Sequence, residues 1–196
     1  MRVFIAVLVL IFSFQSWTKA EDIRDFQIEG MSVGDSLLKF LSKEEINNSR
    51  RNYFSNERNY YVVGLTANLK TYEVVDVYLK TGDPNYIIKT IGGMIVFDDL
   101  EACLSLKKEI IKDLDIIFSN LKKGEFVRSH EFDKSKKSKQ YQTVYDFGNG
   151  DRRDNHIRVE CDTWSKEIKE KEGFTEGLNL IAMTTEILDW IYSDYK

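Results

Sequence analysis

Two cysteines, two histidines and a surplus of carboxylates are the side chains of this 196-residue chain that could do chemistry. Cys103 stands beside Leu100 and Leu104 on the apolar side of a helical repeat. Cys161 alternates with Ile157 and Val159 in HIRVECDTW, so both sulfurs are predicted to face one core. In an oxidising compartment such a pair is read as a structural disulfide, with two buried free thiols as the alternative. The same alternation argues against a Cys–His nucleophile. His156 and Cys161 point to opposite faces of one predicted strand and cannot share a proton, and His130 has no neighbour that would orient it as a base.

Metal and cofactor chemistry is no better supported. His130-Glu131-x-Asp133 lacks any fixed zinc spacing. Asp146, Asn149, Asp151 and Asp154 could surround a calcium ion but depart from the EF-hand order, and a tight turn explains Asn149-Gly150-Asp151 by itself. Gly30-x-x-x-Gly34 and Gly92-Gly93 lack the lysine and the strand–loop–helix setting of a phosphate cradle. The residues therefore assign no catalytic set, no cofactor and no metal. Lys134, Lys136, Lys137 and Lys139 form a basic run that reads as a solvated loop or a contact for an acidic partner. Asn47-Asn48-Ser49 fits an N-glycosylation acceptor in a host that glycosylates.

The elements that must carry these residues follow from periodicity. Leu37, Leu38 and Leu41, then Ser42 with Glu45 at capping-box spacing, predict two brief helices. YYVVGLT, YEVVDVYLK and YIIKTIGGMIVF predict three consecutive antiparallel strands, with Gly92-Gly93 marking a bulge or bend. From Leu100 to Leu121 apolar residues recur every three to four positions, while Lys107, Lys108, Lys112 and Asp115 take other faces. This predicts the longest helix, capped by Asp98 or Asp99 and stopped at Lys122-Lys123-Gly124.

GEFVRSHEFDKSKKSKQ has no period and reads as a loop. QYQTVYDF and NHIRVECDTW flank an Asn-Gly turn and predict a hairpin. Residues 177–183 read as a buried strand before a last helix that Thr184 would cap, or as part of that helix. The fold expected is a single α+β domain over residues 21–196: an antiparallel sheet of about six strands, one long helix on a face, short N-terminal helices and a C-terminal helix.

The first twenty residues, MRVFIAVLVLIFSFQSWTKA, carry one Arg, an apolar run from Val3 to Phe14 and small residues at Thr18 and Ala20. That is the pattern of a cleavable signal peptide, with cleavage expected after Ala20. The apolar run is shorter than the ~20 residues a spanning helix needs, so no stable membrane insertion is expected after signal removal. Acidic residues outnumber basic ones by 32 to 28, for a net charge of −4, and loss of Arg2 and Lys19 makes the mature chain more negative. Nucleic acid is therefore not an expected partner.

DIRDFQIEGMSVGDSLLKFLSKEEI, IGGMIVF and VECDTW together resemble a group of small exported bacterial proteins of unknown function. The resemblance implies an exported domain and supplies no catalytic residue. Gly30-Met31-Ser32-Val33-Gly34 ahead of a short helix is also similar to the turn in envelope domains of the beta-lactamase-inhibitor-like type. The expectation is a periplasmic or secreted, non-catalytic domain that binds a protein or small ligand in the cell envelope. The alternative is a secreted hydrolase working through carboxylates, which would require two acids to meet with separated pKa values.

Overall fold

The computed structural model describes residues 22–52, 59–131, 133–148, 150 and 154–194. The predicted signal peptide lies outside the described residues. So do Asn149 and Asp151, two of the four oxygen donors considered for calcium.

The chain enters through a capped 3-10 turn, Ile23–Asp25, and a short hairpin of β1 (Gln27–Ile28) and β2 (Met31–Ser32). Glu29 in the hairpin turn accepts the backbone N–H groups of Lys70, Thr71 and Tyr72, which ties this entry segment to a distant loop. A 3-10 turn at Leu37–Lys39 leads to helix α1 (Lys43–Asn48), begun by the capping box that Ser42 and Glu45 predict. Strands β3 (Arg50–Arg51), β4 (Tyr60–Leu65), β5 (Val74–Lys80) and β6 (Ile88–Val96) follow. Helix α2 (Leu100–Ile117) then starts on the Asp99 carboxylate, which accepts from Glu101 and Ala102. The second half continues through β7 (Lys122–Ser129), β8 (Lys139–Asp146), β9 (His156–Thr163), α3 (Lys166–Glu172), β10 (Gly177–Met183) and α4 (Thr185–Asp194).

Among the described residues the large sheet has eight antiparallel strands in the order β3-β4-β5-β6-β10-β9-β8-β7. Each half contributes four strands after a helical segment, the second with α3 inserted before β10, and the two halves meet where β6 pairs β10, with Gly93 opposite Leu180. One face carries the main core. Helix α2 lies across β9 and β10, and its buried stripe is Cys103, Lys107, Ile110 and Leu114, with Phe118 at its end. Val75, Val77, Ile157 and Val159 are fully buried in the same cluster, which Ile46 of α1 also joins. The Cys103–Cys161 disulfide forms within this core, with Cα atoms 6.1 Å apart.

The α+β class and the antiparallel sheet agree with the sequence reading; the strand count of about six is too low. The segment read as a loop contains all but the first two residues of β7, an edge strand whose charged residues are what keep an exposed edge from unwanted pairing and also what hide its periodicity. Lys122-Lys123-Gly124 begins that strand; α2 has already ended at the Phe118 cap. Gly92 and Gly93 pair in register with Asp76 and Val75, and the irregularity in this ladder falls at Tyr78/Leu79. Gly93 answers a different need: a Cβ there would lie 2.5 Å from the Tyr72 ring. Lys107 belongs to the buried stripe of α2, and burial lowers its pKa.

Helix α3 was not expected, although Ser165 caps its start and Gly173, at φ +68°, closes it in the left-handed conformation that favours glycine. Residues 177–183 are strand. The carbonyl of Thr184 receives the first helical bonds of α4, but Asn155 Oδ1 takes the Thr185 N–H, at 2.8 Å. A side chain from the β8–β9 connection thus does the capping expected of Thr184.

Candidate functional site

Strand alternation sends every second residue of the sheet to the face opposite α2. On this second face α4 covers one end, where Ile187 and Trp190 pack against Tyr60 and Tyr78 and Trp190 stacks on Tyr60 at 5.2 Å. The strands beyond α4 hold a polar row. Gln142 of β8 lies opposite Glu160 of β9 and donates Nε2–H to Oε2 at 2.8 Å; Arg158 Nε sits 3.1 Å from the same oxygen. One step along β9, Asp162 accepts from Asn179 of β10 at 2.8 Å. Glu160 is 3% exposed and Asp162 is 7% exposed. Burial pushes the Asp162 carboxyl well above the usual aspartate range, and the neighbouring Glu160 charge adds to the effect.

Between this row and α4 a groove of about 230 Å³ opens toward the β7 edge. Lys122, Arg128 and Arg158 supply positive charge around it, against Asp146, while Phe126, Val144, Leu188 and Tyr192 supply apolar surface. Lys123 is held on the α2 side by Asp115, at 2.8 Å. Phe126 is fixed from two directions. Its ring lies over Gly124, where a Cβ would come within 2.8 Å, and the Arg128 guanidinium stands 4.7 Å from its centre. His156 closes the floor. Its Nδ1 lies 2.9 Å from the Asp154 carbonyl, so Nδ1 carries the proton, and burial together with the Arg158 charge lowers its pKa.

No protein family, curated protein or solved structure matches the chain. Cys103 and Cys161 are bonded to each other on the far face, so neither offers a thiolate. His130 stacks on Trp164 at 4.2 Å, and Trp164 on Phe174 at 4.7 Å. Asp133 accepts from the hydroxyls and backbone N–H groups of Ser135 and Ser138, which hold its pKa far below the usual range and close the β7–β8 connection. Those bonds take up the carboxylate that a His130–Asp133 metal site would need. Asp146 Oδ1 accepts from the Gly148 N–H at 2.7 Å, as a turn residue does. Lys139 of the basic run reaches Ser129 at 2.9 Å across the β7–β8 pair.

Sequence reasoning separated His156, Arg158 and Glu160 from the core-facing residues of β9 but assigned them no role. The groove needs Lys122, Phe126, Arg128, Leu188 and Tyr192 as well. These come from a strand not foreseen and from a helix whose docking site was not legible in local pattern.

Proposed function

We propose that this chain is an exported, non-catalytic binding domain whose ligand site is the groove between α4 and β7, and that the ligand is anionic with an apolar portion. The observation that carries the reading is the groove lining: Lys122, Arg128 and Arg158 gather beside Phe126, Leu188 and Tyr192 in a chain of net charge −4. A concave surface opposite in sign to its protein raises the local concentration of anions, and the aromatic and aliphatic walls select those with an apolar part. Export rests on the three-part N-terminal pattern and is compatible with the disulfide. Among the described residues no helix is long and apolar enough to cross a membrane.

The hydrolase reading is weaker. Glu160 and Asp162 are adjacent acids in unlike surroundings, but both are buried beneath their partners and neither lines the groove, so no substrate bond reaches them. Titration calorimetry with adipate, two carboxylates on an apolar spine, tests the binding reading. Adipate should bind the full chain with an affinity that falls as salt rises, and Arg128→Glu should abolish the heat without lowering the melting temperature. No heat with adipate, or equal heat in the variant, would remove the groove as the site.

A further inference from the structure

Strand β7 ends the sheet with an open edge eight residues long, whereas the opposite edge, β3, has two residues. The ladder shows which backbone groups point outward. His130 N–H donates to the Ser138 carbonyl at 3.0 Å, and His130 and Ser138 continue the β7–β8 register in which Arg128 faces Gln140. In an antiparallel pair the bonded positions alternate. Gly124, Phe126 and Arg128 therefore bond to β8, while Lys123, Glu125, Val127 and Ser129 turn their N–H and C=O groups away from the sheet. Among the described residues no strand but β8 pairs with β7. The edge contains no proline and no bulge, and its middle is apolar and exposed, with Val127 at 66% and Phe126 at 43%.

We infer that β7 is a strand-addition edge that takes an acidic extended segment of another protein as a ninth strand, a proposal that rests on the groove reading above and names its occupant. Main-chain bonds to the outward row would supply affinity, and alternate side chains would supply selectivity. On the groove side an incoming strand meets Lys122, Phe126 and Arg128, with Arg158 behind them, so acidic residues fit at alternate positions. On the other side it meets Val127, which fits a β-branched residue. The groove volume agrees: about 230 Å³ lies below the ~300–1,000 Å³ usual for enclosed small-molecule sites, and suits a few side chains laid across a shallow surface. A second copy fits less well. It would bring the same three cations, Lys122, Lys123 and Arg128, against one Glu125.

The test uses the full chain and a blocked octapeptide alternating glutamate with valine and threonine, followed by fluorescence anisotropy. The glutamate peptide should bind, and the same peptide with lysine for glutamate should not. Val127→Pro removes one outward N–H and leaves the β7–β8 bonds in place, so it should weaken peptide binding ~10-fold or more while adipate binding stays unchanged. N-methylating alternate peptide residues should abolish binding to the unaltered chain, a readout independent of how the variant folds. Equal peptide affinity in Val127→Pro and the parent, or undiminished binding of the N-methylated peptide, overturns strand addition. Adipate binding without peptide binding overturns it too and leaves the groove reading standing; loss of both removes both. A dimer in sedimentation that Val127→Pro dissociates would make the second copy the occupant and overturn the acidic segment.

Discussion

Asn179 Nδ2 donates to Asp162 Oδ2 at 2.8 Å across the β9–β10 ladder, which gives a nearly buried carboxyl a firm donor beside the Glu160 charge. The Arg158 charge and the amides of Gln140 and Asn179 offset only part of the desolvation and of the Glu160 repulsion, so the folded chain keeps the Asp162 proton to higher pH than the ordinary aspartate value of 3.8. Because the folded state then binds more protons than the unfolded one, stability falls as pH rises from 3.8 through the raised folded value. Asp162→Asn keeps an oxygen for Asn179 and cannot ionise. The variant should match the parent near pH 3.5 and exceed it at pH 7 by ~1 kcal/mol or more. Urea unfolding at both pH values checks this; a variant less stable than the parent at pH 7 would contradict it.

The Cys103–Cys161 bridge joins the first turn of α2 to β9 over a separation of 58 residues. Closing a loop of that length restricts the unfolded chain by about 4 kcal/mol when the folded geometry is unstrained. Reduction should lower the urea midpoint accordingly. Peptide and adipate binding should survive below that midpoint, because the bridge and the groove occupy opposite faces of the sheet. Mass spectrometry of the non-reduced protein is the direct check, and two free thiols would sink the assignment.

The ring of Tyr72 lies against the backbone of Gly93, whereas a Cβ at Gly92 would meet the side chain of Ile181, nearest at Cγ1, 3.2 Å away. A ring wedged into the core has little room to move and the overlap there is large, whereas Ile181 need give only a few tenths of an ångström. Gly93→Ala should therefore cost ~1–3 kcal/mol, and Gly92→Ala clearly less. Chemical denaturation of the two variants side by side decides it; equal losses would mean that strand propensity sets the requirement for glycine, with the aromatic contact irrelevant.

Local signals in the sequence determined much of this protein. Ser42 with Glu45 begins α1, Asp99 begins α2, the alternation in HIRVECDTW turns Ile157, Val159 and Cys161 to one face, and two cysteines on apolar faces predict their bridge. These features depend on the 2.0 and 3.6 residue periods and on capping groups a few residues away, so they are written in neighbouring side chains. The tertiary structure alone decided that KKGEFVRS is an edge strand, because such a strand pairs on one side only and tolerates the charges that erase its pattern. It alone decided that Asn155 caps α4, that Lys107 lies in the core stripe, and that Arg158 and Gln142 converge on Glu160. The groove depends on all of these placements at once. Its walls come from β7, β8, β9 and α4, and no local period encodes which strands become neighbours.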